Sequence, residues 1–297
     1  MRCSDVSDLP PTEARSERSA GLDLLSTPAL VELLVAEQRD AVEAVLAQNE
    51  ALARAVDEIA RRLERGGRLH YVGAGSSGRI AALDAAEMPP TFGTPPDLVC
   101  AHVAGGTEAL TRAVEGAEDD AAAGGAAMDR CAPCDAVVGI SASGEAAFVV
   151  GAVVRARAAG AYTLAITSAA GSSLARAAGD RVVLDTGAEA LTGSTRLKAG
   201  TAQKVALNAL STAIMIRLGK VYDNFMVDLV AENEKLRGRA LRLVRTIAGV
   251  DERRARELLD AAGGGVKVAI VMERRGLDAT EARALLERHG GVLRRLL

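Results

Sequence analysis

The sequence is poor in aromatic residues and has no tryptophan. With 3 Tyr and 3 Phe in 297 residues, it lacks the platforms on which bases and sugar rings commonly stack. The formal net charge is −3, and no dense block of Lys and Arg is present to neutralise a phosphate backbone. Nucleic acid is therefore not an expected partner, and polar groups must recognise any ligand.

Long hydrophobic runs are also missing. A membrane helix needs about 18 or more apolar residues, and the nearest stretch, 205–218, is interrupted by Asn208, Ser211, Thr212 and Arg217. Residues 1–20 are polar and mixed in charge, without the basic start and apolar run of a signal peptide. We therefore expect no membrane partner and a cytoplasmic location.

Cysteine is scarce, with four residues in the chain. Cys131 and Cys134 form one CxxC pair, a spacing found in zinc and redox sites, but a zinc site needs a second pair of ligands and the three histidines show no matching spacing. We expect free cytosolic thiols and no metal site.

Regular hydrophobic patterns are present throughout the chain. Residues 28–65 carry apolar side chains at helical spacing, which indicates one long helix or two in succession. Short β-rich runs follow, most of them separated by helical patterns, at 69–72, 98–103, 136–140, 162–166 and 181–184. Near-continuous apolar strands that alternate with helices predict an α/β fold, a parallel sheet sandwiched by helices with flavodoxin-like layering.

The β pattern ends at Leu184. A long helix is predicted over 195–218, and everything from Asp228 onward has a helical pattern, with Asp251 and Asp278 as N-caps. We predict an N-terminal helical segment (1–58), a ligand-binding α/β domain (59–225) and a small all-helical C-terminal domain (226–297).

A loop rich in glycine and serine follows the first predicted strand. Gly73–Arg79 (GAGSSGR) leads directly into a helix, so free N–H groups and the positive end of the helix dipole point at one place, which suits an anion. The string also fits GxGxxG, which alone is weak evidence for a dinucleotide site. Hydroxyl donors suit a terminal phosphate with three oxygens, so the candidates for phosphate binding are Gly75, Ser76, Ser77 and Gly78.

A second serine loop follows the third predicted strand and offers Ser141, Ser143 and Gly144. Because the carboxyl ends of parallel strands meet at the crevice where such folds bind ligands, both loops would reach one phosphate. Another helix start brings further hydroxyls and cations, with Ser194 and Lys198 as candidates. The alternative for each loop is that its serines only cap helices.

Acidic residues stand near these loops. Glu87 precedes Met88-Pro89-Pro90, where we expect the helix to break because the residue before proline avoids the α region. Glu115 and Glu118 are three residues apart and would share one helical face. From chemistry alone, solvation and interaction with a helix N-terminus explain this cluster better than catalysis does.

Longer strings resemble a known family. Together with the first serine loop, the segments 83–93, 104–106, 113–120, 191–204 and 226–228 closely resemble the N-acetylmuramic acid 6-phosphate etherases, and the resemblance spans almost the whole chain in order. This family belongs to the sugar isomerase (SIS) fold group, and the glucokinase regulatory protein resembles it.

The resemblance implies a homodimeric carbon–oxygen lyase of peptidoglycan recycling and amino-sugar catabolism that uses no cofactor. Such an enzyme cleaves the D-lactyl ether of N-acetylmuramic acid 6-phosphate by elimination and hydration, giving N-acetylglucosamine 6-phosphate and D-lactate. By position, Glu87 matches the family's proton donor and Glu118 its second essential glutamate, which we assign as the base at C2.

The sequence departs from the family pattern beside the second serine loop. Glu145-Ala-Ala-Phe148 stands where Arg-Thr-Pro-Tyr is common, and Ser168-Ala-Ala-Gly171 lacks the usual Asn-Pro. A glutamate beside a phosphate loop is unfavourable unless it points away. The alternatives are an aldose–ketose sugar-phosphate isomerase, a non-catalytic sugar-phosphate-binding regulator and a dinucleotide enzyme.

Overall fold

The computed structural model describes residues 11–229 and 234–297. They form two compact units, one with residues up to 85 and 97–211, the other with residues 86–96 and those from 212 onward. Compactness alone does not define an independently folding domain, so the division predicted at residues 58 and 225 stays a prediction.

Within the described residues, three α-helices precede the sheet, where one or two were expected. They are α1 (Thr27–Ala36), α2 (Arg39–Leu46) and α3 (Asn49–Glu64). A glutamine lies at each break and bonds to the backbone: Gln38 donates from Nε2 to the carbonyl of Leu34, and Gln48 accepts from the N–H of Val183. Helix α3 buries an apolar face that includes Leu52, Val56, Ile59 and Leu63.

The predicted parallel sheet is confirmed. Its strands are β1 (Leu69–Gly73), β2 (Val99–Val103), β3 (Ala136–Ile140), β4 (Tyr162–Thr167) and β5 (Asp180–Val183), all parallel, in the spatial order β2-β1-β3-β4-β5. The associated helices are α4 (Gly75–Phe92), α5 (Ala121–Ala127), α6 (Ala147–Ala158), α7 (Ser173–Ala177) and α8 (Lys198–Arg217). One core cluster includes Val72, Val137, Val149, Val153 and Leu174, each with no exposed surface.

Helix α4 does not break before its prolines, contrary to expectation. It continues through Pro89 and Pro90 to Phe92. A proline lacks an N–H donor but keeps its acceptor, and the carbonyl of Pro89 accepts from the N–H of Gly93 at 2.9 Å. The helix ends at Phe92, and the next residue, Gly93, has φ 61°.

The second unit contains a hairpin that the sequence did not predict, because its strands are too short to show a period. Strands β6 (Val221–Tyr222) and β7 (Phe225–Met226) pair antiparallel, and Asp223 in their turn has φ 54°. The helices that follow are α9 (Glu234–Val244), α10 (Glu252–Ala261), α11 (Val266–Arg275) and α12 (Ala279–Arg288), with a π-helical turn at Arg245–Gly249.

The predicted C-terminal N-caps are confirmed. Asp251 accepts from the N–H of Arg254, and Asp278 accepts from the N–H of Glu281 within a capping box. Within the described ranges, no helix combines the length and apolar character needed to cross a membrane.

The CxxC residues are free thiols. Cys131 and Cys134 form no disulfide, and burial, with the nearby charge of Asp135, raises the pKa of the Cys131 thiol to about 11. A raised pKa disfavours the thiolate that redox and metal chemistry require. Cys3 lies outside the described residues.

Candidate active site

The two serine loops leave neighbouring strands at the same edge of the sheet. Strands β1 and β3 are paired, and Gly73 at the end of β1 lies opposite Ile140 at the end of β3. Strand β2 continues the sheet on one side of β1, and β3 continues it on the other. A sheet of this kind binds ligands where the strand order reverses, at the carboxyl ends of the strands.

The first serine loop forms the first turn of α4. Gly75, with φ 54°, begins the helix, and the N–H groups of a first turn have no carbonyl partner within the helix. Gly73 and Gly78 are in close contact, since a Cβ on Gly73 would lie 2.7 Å from the nitrogen of Gly78. Ser76 is half-buried and Ser77 buried. The geometry therefore suits an anion at the start of α4.

The second serine loop holds its hydroxyl groups by backbone contacts. The Oγ of Ser141 accepts from the N–H of Gly144 at 3.1 Å, and the Oγ of Ser143 accepts from the N–H of Glu145 at 3.3 Å. A hydroxyl that accepts in this way keeps its hydrogen for donation. Both serines can therefore donate to a ligand oxygen.

Gly144 permits the close approach of the next loop. Its φ is 71°, and a Cβ there would lie 2.1 Å from the Oγ of Ser172. The carbonyl of Gly144 also accepts from the N–H of Leu174 at 2.9 Å. The second serine loop is thus packed directly against the start of α7.

Glu145 is held by Ser173. Its carboxylate accepts from the N–H of Ser173 at 2.9 Å and from the hydroxyl of Ser173 at 2.6 Å. These bonds, with the charge of Arg176, lower the pKa of Glu145. The carboxylate therefore has a partner of its own, which accounts for a glutamate beside a phosphate-type loop.

The third predicted anion site is already occupied by side chains of the chain itself. Helix α8 begins at Lys198, and the fully buried carboxylate of Glu189 accepts from the N–H groups of Lys198 and Ala199, each at 2.9 Å. The Nζ of Lys198 lies 3.0 Å from Glu37 and 3.1 Å from Asp40. The charge of Lys198 is thus engaged by two carboxylates, which argues against the expectation that it complements a phosphate. Ser194 is half-buried.

The segment before Glu118 is not the helix that was expected. Gly116 has φ 73°, and only Ala117–Asp119 forms a 3₁₀ turn, so Glu115 and Glu118 do not share a helical face. Asp120 caps α5 by accepting from the N–H of Ala123. Glu118 is solvent-exposed in the single chain.

Glu87 lies on α4, in the second compact unit, and is also solvent-exposed in the single chain. The chain alone therefore encloses neither carboxylate.

Arg79 is a residue whose role was not anticipated. Its Nε donates to the carbonyl of Ala109 at 2.8 Å, and its Nη2 donates to the carbonyl of Arg112 at 2.9 Å. It therefore ties α4 to the segment that leads toward Glu118. The sequence does single out this residue, because Arg79 ends the motif of the first serine loop.

Known proteins share this fold. Residues 51–157 match the glucokinase regulatory protein N-terminal SIS domain, and residues 108–213 match the SIS domain. A phosphoheptose isomerase from Francisella tularensis has 20% sequence identity and a TM-score of 0.51, covering 65% of this chain and 99% of that one. The sheet order and these two matches define an SIS-domain protein.

Curated relatives identify the family within the SIS-domain proteins. The N-acetylmuramic acid 6-phosphate etherase of Deinococcus radiodurans is 49% identical over 280 residues, which are 94% of this chain and 92% of that protein. The etherase of Symbiobacterium thermophilum is 51% identical over 261 residues, covering 88% and 87%. This chain belongs to the N-acetylmuramic acid 6-phosphate etherase family.

Proposed function

We propose that this chain is a carbon–oxygen lyase that cleaves the D-lactyl ether of N-acetylmuramic acid 6-phosphate, giving N-acetylglucosamine 6-phosphate and D-lactate. The observation that carries the proposal is the identity of 49% over 94% of the chain with a relative of that name. The two serine loops at the ends of adjacent strands support a sugar phosphate as ligand.

The phosphate is proposed to bind between the two serine loops. Hydroxyl groups and first-turn N–H groups donate to its oxygens, and the dipole of α4 favours its charge. The proposed ligands are Gly75, Ser76, Ser77, Gly78, Ser141, Ser143 and Gly144, with Ser194 at a flanking position. Lys198 is left out because Glu37 and Asp40 hold its ammonium group.

The two glutamates are proposed to move the protons. Once the sugar ring opens, the aldehyde at C1 acidifies the proton at C2. Glu118 removes that proton, a C2=C3 double bond forms, and the C3–O bond to lactate breaks as Glu87 protonates the departing oxygen. Water then adds at C3, and C2 regains a proton. Groups positioned in this way typically contribute about 10²–10⁴-fold each.

A second copy of the chain is proposed as the partner. No residue of α1 is buried, and Leu24, Val31, Val35 and Leu46 are exposed by 84%, 54%, 66% and 62%. These four side chains lie within residues 24–46, and exposed apolar surface of this kind is typical of protein–protein interfaces. We propose a cytoplasmic homodimer with α1 and α2 in its interface. The double variant Val35→Glu with Leu46→Glu should then have the mass of a monomer in light scattering. An unchanged mass would contradict this interface.

One assay tests the reaction. The protein is incubated with N-acetylmuramic acid 6-phosphate in D₂O, and D-lactate and deuterium at C2 of the sugar are measured. Both are expected. An isomerase would release no lactate, and a non-catalytic regulator would bind without turnover. Lactate released without deuterium at C2 would exclude the elimination.

A further inference from the structure

A buried carboxylate on α4 takes no direct part in the proton transfers described above. Asp84 is 3% exposed and accepts three hydrogen bonds, from the hydroxyl of Tyr71 at 3.0 Å, from Nδ2 of Asn208 at 2.7 Å and from the hydroxyl of Ser211 at 3.1 Å. Tyr71 itself has no exposed surface. Because it is enclosed by these partners, Asp84 is not placed to touch a substrate.

The network joins three elements of the fold. Tyr71 belongs to β1, Asp84 to α4, and Asn208 with Ser211 to α8. Hydrogen bonds to a charged acceptor are stronger and more directional than those between neutral groups. Bonds from two different elements to one side chain therefore resist rotation of α4 about its axis.

The rotation of α4 decides where its other side chains point. Ser77 lies seven residues before Asp84, on nearly the same helical face, and Glu87 lies three residues after it, about one turn further along. A side-chain atom about 6 Å from a helix axis moves by about 1 Å when the helix turns by about 10°. A misplacement of about 1 Å can lower a rate by about 10²-fold.

We propose that Asp84 is a positioning residue for the reaction, whose three hydrogen bonds hold α4 in the orientation that places the first serine loop and Glu87. This inference rests on the proposed function for its effect on turnover. Its structural part, that Asp84 fixes α4, does not depend on the substrate.

The test compares Asp84→Asn with a matched control, Asp135→Asn. Asp135 is also a buried carboxylate, 5% exposed, and accepts from the N–H groups of Arg68 and Ala132. It stands just before β3, at the amino ends of the strands, and so at the edge opposite the serine loops. Both substitutions replace a buried carboxylate by an amide of the same shape.

In Asp84→Asn we expect kcat to fall about 10- to 100-fold. KM should change less, because the second serine loop does not lie on α4. In Asp135→Asn we expect kcat within about twofold of wild type, since its effect is confined to stability. Wild-type kcat in folded Asp84→Asn, or an equal loss of kcat in Asp135→Asn, would overturn the proposal.

Hydrogen exchange followed by mass spectrometry gives a readout without substrate. Asp84→Asn should accelerate exchange in the peptides that cover α4, and Asp135→Asn should do so near residues 132–136 instead. If wild type releases no lactate, the proposed function fails while this comparison still decides whether Asp84 fixes α4. Unchanged exchange in α4 would overturn that part.

A milder variant covers the case in which Asp84→Asn does not fold. Tyr71→Phe removes one of the three hydrogen bonds and keeps the ring. It should show faster exchange in α4 and a smaller loss of kcat in the same direction. Wild-type values of both would overturn the proposal.

Discussion

The Nζ atom of Lys198 lies 3.0 Å from Oε2 of Glu37, a residue 161 positions earlier in the chain. The Lys198 side chain is completely buried, and that of Glu37 is 7% exposed. A buried ion pair is costly to break from one side, although Arg18 also pairs with Glu37 and Asp40 and would remain as their cation.

We therefore predict that Lys198→Met destabilises the fold by about 3 kcal/mol, the low end for a broken buried pair, measured by urea unfolding. The double variant Lys198→Met with Glu37→Gln should recover part of this loss, because Arg18 then has one carboxylate to neutralise instead of two. If Lys198 instead bound the phosphate, the single variant would keep its stability and raise KM.

Glu87→Gln is expected to retain the fold and to lose about 10²-fold or more in turnover, because an amide cannot protonate the departing ether oxygen. Circular dichroism and lactate release measure the two effects. A matched control is Glu108→Gln, another exposed glutamate of the chain. Wild-type turnover in Glu87→Gln would remove this residue from the mechanism.

Glu118→Gln should stop the exchange of deuterium into C2, because the base that removes this proton is lost. We expect turnover to fall by about 10²-fold or more. Glu115→Gln is the control, since Glu115 lies three residues earlier and on the other side of Gly116. Equal losses in both variants would point to a general effect of negative charge in this segment.

Gly144→Ala should destabilise the protein and impair the second serine loop. An alanine there is strained at φ 71°, and its Cβ would lie 2.1 Å from the Oγ of Ser172, so we expect a cost of about 2–4 kcal/mol. Gly171→Ala is the control, because nothing lies within 4 Å of a Cβ at that position. Thermal melts of both variants measure the difference, and equal melting temperatures would contradict the close packing.

Two partly buried histidines make the stability of the fold depend on pH. Nδ1 of His70 lies 3.0 Å from Nε2 of His102. Burial, with the neighbouring charge of His70, lowers the pKa of His102 from 6.5 to about 4. Burial also lowers the pKa of His70, although the charge of Asp135 opposes this.

Between pH 6.5 and about 4, the two pKa values of His102, the unfolded chain binds more protons than the folded one. The contribution of neutral His102 to the free energy of unfolding is therefore fully present above about pH 6.5. It is lost as the pH falls toward 4, and the loss is at most about 3 kcal/mol. Urea unfolding between pH 7 and 4.5 should show a flatter profile in His102→Gln than in wild type. Parallel profiles would contradict the assignment to His102.

The sequence predicted what depends on local pattern. Near-continuous apolar runs that alternate with helices determined the parallel sheet, since such strands must be covered on both faces. Serine loops directly after β1 and β3 were visible as strings, and so were the caps Asp251 and Asp278, because a cap acts on its own first turn. The family resemblance also rests on local strings.

Only the tertiary structure decided the features that depend on distant partners. Lys198 appeared available to a ligand until the fold brought Glu37 and Asp40 to it, and Glu145 appeared unfavourable until Ser173 was placed beside its carboxylate. Helix α4 passes through its prolines, although the local rule predicts a break. These ion pairs and buried hydrogen bonds join residues far apart in the chain, so a local sequence pattern cannot predict them. Hydrophobic periodicity and helix caps involve only residues a few positions apart, so a local pattern does predict them.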